Sequence, residues 1–170
     1  MTVKFILAID PADISSAFCL LNPELKPVAF AKLENELMYA EMCDAIVKHV
    51  PAESIDSGLA VVIEWMQSYG MPVGQSVFET CAWIGRLEER LKDFKPVRIT
   101  RKQEATTICH SARANDATIK QALIDRFAPN VPNYGKGSKK SPGWFYGFRA
   151  DVWQAYAIGV TYHDLYLVET

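Results

Sequence analysis

Val3–Ile9 is an apolar run with β-branched and aromatic members that stops at Asp10-Pro11, the pattern of a buried strand closed by a turn. Ser15–Leu21 and Val28–Leu33 read as the second and third strands, and the Asn22-Pro23 turn between them predicts antiparallel neighbours. From Glu34 to Val50 the period changes: Tyr39, Cys43, Ile46 and Val50 recur at helical spacing, Met42 widens the same face, and Pro51 marks the stop. Leu59–Ile63 is continuously apolar, as in a central strand covered on both faces, and it ends at Glu64. After a Gly- and Pro-containing loop, Ser68–Gly74, the pattern predicts a helix from Gln75 to Phe94 and a fifth strand over Pro96–Thr100. Helices follow over Arg101–His110 and Asn115–Phe127. Residues 129–149, PNVPNYGKGSKKSPGWFYGFR, have no period and read as a long loop, a feature that in compact domains is usually functional or disordered. The last helix spans Ala150–Leu167, where Ala155, Ile158, Gly159, Tyr162 and Leu165 offer a small-residue face for close packing. The expected fold is α/β, a five-stranded mixed sheet flanked by helices with its first three strands antiparallel, in one domain over residues 1–170.

Composition narrows the class. A chain of 170 residues, 49% hydrophobic and 22% charged, suits one domain that buries its own core. No apolar run approaches the roughly 20 residues that span a bilayer, and the first residues run into a strand rather than a cleavable signal. A cytoplasmic setting and no membrane partner are expected. The cysteines, Cys19, Cys43, Cys81 and Cys109, lie far apart without CxxC spacing, so neither a zinc site nor a disulfide framework is expected. The formal charge of -2 lacks the basic excess of many nucleic-acid binders. Basic residues nevertheless gather in the second half, at Arg98, Arg101, Lys102 and Arg113 and then at Lys136, Lys139, Lys140 and Arg149. That distribution is compatible with one basic face.

Two carboxylates stand at the C-terminal ends of apolar strands, Asp10 after FILAI and Glu64 after LAVVI, where a charge sits against the core edge unless something pairs with it. A third, Asp151, opens the last helix, where the helix dipole tolerates an acid. Each alone has an ordinary explanation, as a turn residue, a strand-end charge and an N-cap. With the strands that end in Asp10 and Glu64 adjacent and the last helix across them, all three converge on one point. Convergent carboxylates repel and need cations, and hard oxygen ligands suit Mg²⁺ or Mn²⁺, one or two ions per site. Such ions activate water and stabilise a leaving oxygen in phosphodiester hydrolysis.

The chain resembles the RuvC-type Holliday junction resolvases, in their phage-like branch, through FILAIDP near its start, VVIEWM in the middle and ADVWQAYAIGVTYHD near its end. Gln75–Leu87, with Ser76 and Gly85, is similar to that family's helix after the catalytic Glu. The resemblance implies a ribonuclease H-like fold, cleavage of four-way junctions and other branched DNA, and a setting in a bacterial or phage-infected host cell. It also implies Asp10, Glu64 and Asp151 as metal ligands. Two positions depart from the family. Asp10-Pro-Ala-Asp13 lacks the glycine usual after the first Asp, and Gln154 stands where the last helix carries its second acid. Residues at i and i+3 share a helical face, so Gln154 still points at the site, offering a neutral carbonyl oxygen. Asp13 is a possible substitute, whereas Asp164, more than about three turns along the helix from Asp151, is too distant.

For DNA, the 129–149 loop sets Lys136, Lys139 and Lys140 beside Trp144, Phe145 and Tyr146, whose rings either stack bases or anchor the loop to the core. Arg101, Lys102 and Arg149 add to the expected phosphate contacts. Tyr69 lies where the family presents an aromatic wedge to the junction, with Trp65 and Met66 as competitors. Lys120, on the Asn115–Phe127 helix, is a candidate partner for the scissile phosphate. His49, His110 and His163 lack metal-ligand spacing and read as surface or packing residues. A homodimer is expected, because a four-way junction with near two-fold symmetry needs paired cuts. Its predicted interface is the Gln75–Phe94 helix, apolar at Val77, Phe78, Cys81, Ala82, Trp83 and Ile84. Two rivals remain: a catalytically impaired RuvC-like DNA-binding protein, motivated by Gln154, and an actin/sugar-kinase-like nucleotide-binding protein. The latter normally needs a glycine-rich phosphate loop and a second comparable domain.

Overall fold

The computed structural model describes residues 5–168. Val3 and Lys4, at the start of the expected first strand, lie outside the described residues. The strands β1 (Phe5–Asp10), β2 (Ser15–Leu21), β3 (Pro27–Glu34), β4 (Leu59–Trp65) and β5 (Val97–Thr100) form one five-stranded sheet in the order β3-β2-β1-β4-β5. β1, β2 and β3 pair antiparallel, while β4 lies parallel to both β1 and β5. The expected mixed sheet is therefore present, and the described residues form one lobe's sheet rather than the paired lobes of a sugar kinase.

The helices are α1 (Asn35–His49), α2 (Ala52–Gly58), α3 (Gln75–Arg90), α4 (Arg101–Cys109), α5 (Asp116–Phe127) and α6 (Val152–Tyr166). α2 was not expected: AESIDSG is too short and too polar to display a helical period. α3 ends at Arg90 instead of Phe94, because the chain tightens into a 3-10 turn over Lys92–Phe94 and Lys95 then adopts a left-handed conformation (φ 50°). The cysteines are free, with Cys19 buried and the other three half-buried.

Alternation along the strands divides the core in two. Leu7, Ile9, Phe18, Leu20, Val61 and Ile63 face α1 and α3, meeting Met38, Met42, Trp83, Ile84 and Leu87. Ile6, Ala8, Ala17, Cys19, Val62 and Ile99 face the other way, toward α4, α5 and α6. α6 is enclosed nearly all round, with Val152, Trp153 and the whole run Ala155–Thr161 buried, more than the single small-residue face expected. Its closest approach is at Gly159, where an added Cβ would stand 2.8 Å from Leu21 Cδ1 and 3.3 Å from Ala8 Cβ.

The loop 129–149 supplies the other wall of α6. Phe145 and Phe148 are fully buried and pack edge-on or tilted against Trp153 and Tyr156. Trp144 stacks on Phe127 at 5.4 Å and donates its indole N–H to Tyr156 Oη, which donates in turn to the Leu25 carbonyl. This corrects the stacking role weighed for Trp144 and Phe145: both anchor the loop, and only Tyr146 of that trio is exposed. Burial of rings this size stabilises by about 1.5–3 kcal/mol each, enough to order a loop that has no regular structure.

Gly159→Val is expected to lift α6 from Ala8 and Leu21 and to destabilise the protein by roughly 1–3 kcal/mol, the usual cost of overpacking. Urea denaturation measures it; an unchanged midpoint would show that α6 does not depend on this contact.

Candidate active site

The parallel register of β1 and β4 sets Ile9 beside Ile63, so the next residues, Asp10 and Glu64, leave neighbouring strands side by side. By alternation both point to the α6 face, continuing Ile6–Ala8 and Val62. Their carboxyl groups share a hydrogen bond. Burial above all, then the charge of Glu64, that hydrogen bond, and the charges of Asp151 and Glu104 hold Asp10 well above the usual carboxylate range. Burial raises Glu64 as well, countered by the bond from Asp10 and by Arg101.

α6 brings Asp151 to this pair from its N-terminal end, and the Asp151 side chain makes no capping hydrogen bond to its own helix. α4 brings a fourth acid. β5 runs beside β4 with Thr100 next to Trp65, and Thr100 forms a capping box with Gln103, so α4 begins at the same sheet edge. Arg101 opens that helix and Glu104 follows one turn on. Glu104 is completely buried (0% exposed), and burial with the nearby Glu64 charge pushes its carboxyl up to about 8 against the opposing pull of Arg101. Its Oε2 accepts from Arg101 Nη1 at 2.8 Å, while Oε1 has no hydrogen-bond partner.

Two cations answer these acids. Lys32 lies in the same sheet row as Asp10, across Ala17, whose small side chain leaves the space between them open, and it is ion-paired with Asp151. Arg101 Nη1 donates to Gln154 Oε1 at 2.8 Å as well as to Glu104, and the guanidinium also pairs with Asp116. Arg101 was expected to face DNA phosphates; its guanidinium is instead turned into the carboxylates.

Asp10, Glu64 and Asp151 are thus brought within electrostatic range of one another, with Gln154 at their edge. Among the described residues no three acidic, histidine or cysteine side chains close around a single point, and Asp151 is ion-paired with Lys32. The donor chemistry nevertheless fits a hard divalent ion. The oxygens are carboxylates, and Glu104 Oε1 is a buried acceptor without a donor, the kind of orphan that a bound cation explains. Asp13 is exposed and accepts from the Ile14 N–H, and Asp164 is held by Arg126, so neither substitutes for the missing helix acid.

Beside the acids, Lys120, Lys136 and Arg149 line a cavity of about 480 Å³ together with Asp151, Trp153 and Gln154. The Lys120 ammonium lies 4.8 Å from the ring centres of both Tyr134 and Trp153, which fixes its direction. Lys139 and Lys140 are exposed on the loop beyond. Lys102 is exposed and lines a second cavity of about 370 Å³ with Tyr69 and Arg101. Of the three wedge candidates Tyr69 is the exposed one, at 62%; Trp65 lies under the Arg98 guanidinium at 3.7 Å and Met66 packs on the core.

Glu104 and Lys32 were not anticipated. The capping pattern Thr100–Gln103 carried a signal for Glu104, because it fixes where α4 starts; Lys32 has no signal until the strand register is known.

A mixed sheet with acids at adjoining parallel strand ends and a helix laid across them defines a ribonuclease H-like architecture, here of the RuvC type. Two solved structures of RuvC from Thermus thermophilus match over nearly the whole chain. One, in complex with a Holliday junction substrate, has a TM-score of 0.62 at 11% identity and covers 95% of this chain and 93% of its own. The other has a TM-score of 0.58 at 8% identity, with coverages of 94% and 92%. At such identity the likeness establishes the fold. No family model and no curated protein sequence matches the chain.

The raised Glu104 makes stability fall with pH. The folded state holds this proton more tightly than the unfolded chain, whose ordinary value is 4.5, so the stabilisation is full below that value and is lost as pH rises to about 8. In chelator, the thermal midpoint is expected to drop across that window, and Glu104→Gln is expected to flatten the drop. A wild-type midpoint independent of pH there would contradict the assignment.

Proposed function

We propose that the chain is a metal-dependent, structure-selective endonuclease that hydrolyses phosphodiester bonds in Holliday junctions and other branched DNA. The observation that carries this reading is the gathering of Asp10, Glu64, Asp151 and Glu104 within electrostatic range of one another at one end of a RuvC-type sheet. The RuvC neighbour solved with a Holliday junction substrate supports the choice of DNA. Asp10, Glu64 and Asp151 would hold the ion, Mg²⁺ or Mn²⁺. A bound divalent ion supplies activation of water and neutralisation of charge on the phosphate.

The remaining work belongs to the chain's own side chains. Lys120, fixed by Tyr134 and Trp153, meets the charge of the scissile phosphate. Lys136 and Arg149 hold the strand at the rim of the cavity, and Lys139, Lys140 and Lys102 extend the phosphate track. Tyr69 stands out from its loop toward the junction centre. The domain works as a homodimer through α3. Its inner stripe of Thr80, Trp83, Ile84 and Leu87 is taken by the core, leaving Phe78, Ala82 and Gly85 outward. Phe78 is 58% exposed, and a Cβ on Gly85 would meet nothing within 4 Å, so this face is open to a partner helix.

A second reading, a RuvC-like DNA-binding protein with impaired turnover, is favoured by one observation: Gln154 is neutral and engaged by Arg101. Incubation with four-way, forked and linear DNA, with and without Mg²⁺ or Mn²⁺, separates the two. Metal-dependent cutting of the branched substrates is expected; binding without cutting in either metal selects the second reading.

Asp10→Asn is expected to reduce cleavage by more than the roughly 100-fold typical of losing an outer-shell partner, with junction affinity nearly unchanged. Normal cutting by that variant would remove Asp10 from the site. In sedimentation at micromolar concentration the wild type is expected to run as a dimer and Phe78→Glu as a monomer. A wild type that stays monomeric both free and on junction DNA would contradict paired cleavage.

A further inference from the structure

We infer that Arg101 occupies the place of a second metal ion, so that the site takes one divalent cation beside one fixed guanidinium. The inference rests on reading the carboxylate cluster as a divalent-ion site.

Charge sets the number. With a cation bound, four carboxylates, Asp10, Glu64, Glu104 and Asp151, would all be ionised and would share the site with two cations, Lys32 and Arg101, while Asp116, the guanidinium's other partner, lies largely in solvent. Two negative charges are left over, the amount that one divalent ion neutralises. Lys120, Lys136 and Arg149 face the adjoining cavity, where DNA phosphates bring their own charge. A second divalent ion would therefore overcharge the acids.

Geometry says which place is taken. Arg101 Nη1 lies 2.8 Å from Glu104 Oε2 and 2.8 Å from Gln154 Oε1, between the helix that follows β5 and the helix that crosses the sheet. An ion bridging those helices would have to occupy the space that the guanidinium fills. Arginine keeps its proton in proteins, so this positive charge is permanent. Gln154 suits it: the amide oxygen accepts from Arg101 without adding a negative charge, whereas a carboxylate there would call for another cation. Glu104 Oε1, buried and without a partner, remains as an oxygen that Arg101 does not hold and that the single ion can use in addition to Asp10, Glu64 and Asp151.

The test is a Mn²⁺ titration of the full chain, followed by calorimetry and by electron paramagnetic resonance. The wild type is expected to bind one ion per chain and to give an isolated-ion spectrum, without the coupling of two ions about 4 Å apart. Arg101→Met, checked for folding by circular dichroism, is expected to bind two ions, and Arg101→Lys, which keeps the charge, one. Two ions on the wild type or on Arg101→Lys would overturn the inference while leaving the metal site in place. A folded Arg101→Met that still binds one would also overturn it. A wild type that binds no Mn²⁺ would instead remove the metal reading beneath it. Should Arg101→Met not fold, the wild type and Arg101→Lys decide between one ion and two.

Discussion

The parallel pairing of β1 with β4 is the constraint on which the rest of the molecule turns. Both strands are apolar up to Ile9 and Ile63 and then present an acid, so a register with Ile9 beside Ile63 forces two carboxyl groups together. Such a pair repels and is poorly hydrated, and each element around it bears on that problem. β3 contributes Lys32 and α4 contributes Arg101, and burial together with the charge they leave uncompensated holds the Asp10 carboxyl well above its ordinary range. The sheet order and the electrostatics of the site are therefore one fact seen twice.

Close packing of α6 is the second requirement. A helix carrying an acid at its start reaches the sheet-edge pair only if its axis lies close to the sheet, and the small residues Ala8, Ala17 and Gly159 permit that. The aromatic wall of Phe145, Phe148 and Trp144 then presses the helix down from the other side. The loop thus has two separate parts. Its rings build the core, and Lys136 and Arg149 look into the cavity beside the acids. A segment without secondary structure keeps its basic side chains in fixed relation to the site because its apolar ones are buried.

Arg101 changes the character of the site. A permanent cation between Glu104 and Gln154 partly offsets the buried acids. Gln154 and Arg101 are best understood as a matched pair: the neutral amide and the guanidinium satisfy each other in a place where two charges of opposite sign would otherwise have to balance.

By itself the sequence determined the five strands, the long helices and the two strand-end acids, though not the short α2. Apolar runs of strand length ending in a charge are legible because burial acts on each strand separately, and Asp10 and Glu64 stood out for that reason. The final helix and its leading Asp151 were legible in the same way, through helical spacing and the FILAIDP, VVIEWM and ADVWQAYAIG motifs. What only the tertiary structure decided was pairing between distant parts of the chain. Lys32 meets Asp151, and Arg101 turns from the expected DNA surface to Glu104 and Gln154, because the strand register and the capped start of α4 bring them there. The fates of Trp144 and Phe145 were likewise open, since an aromatic ring in a basic loop has the same local pattern whether it stacks on a base or on Phe127 and Trp153. Local patterns record which side chains avoid water; they do not record which partners they find, because that depends on contacts far apart in sequence.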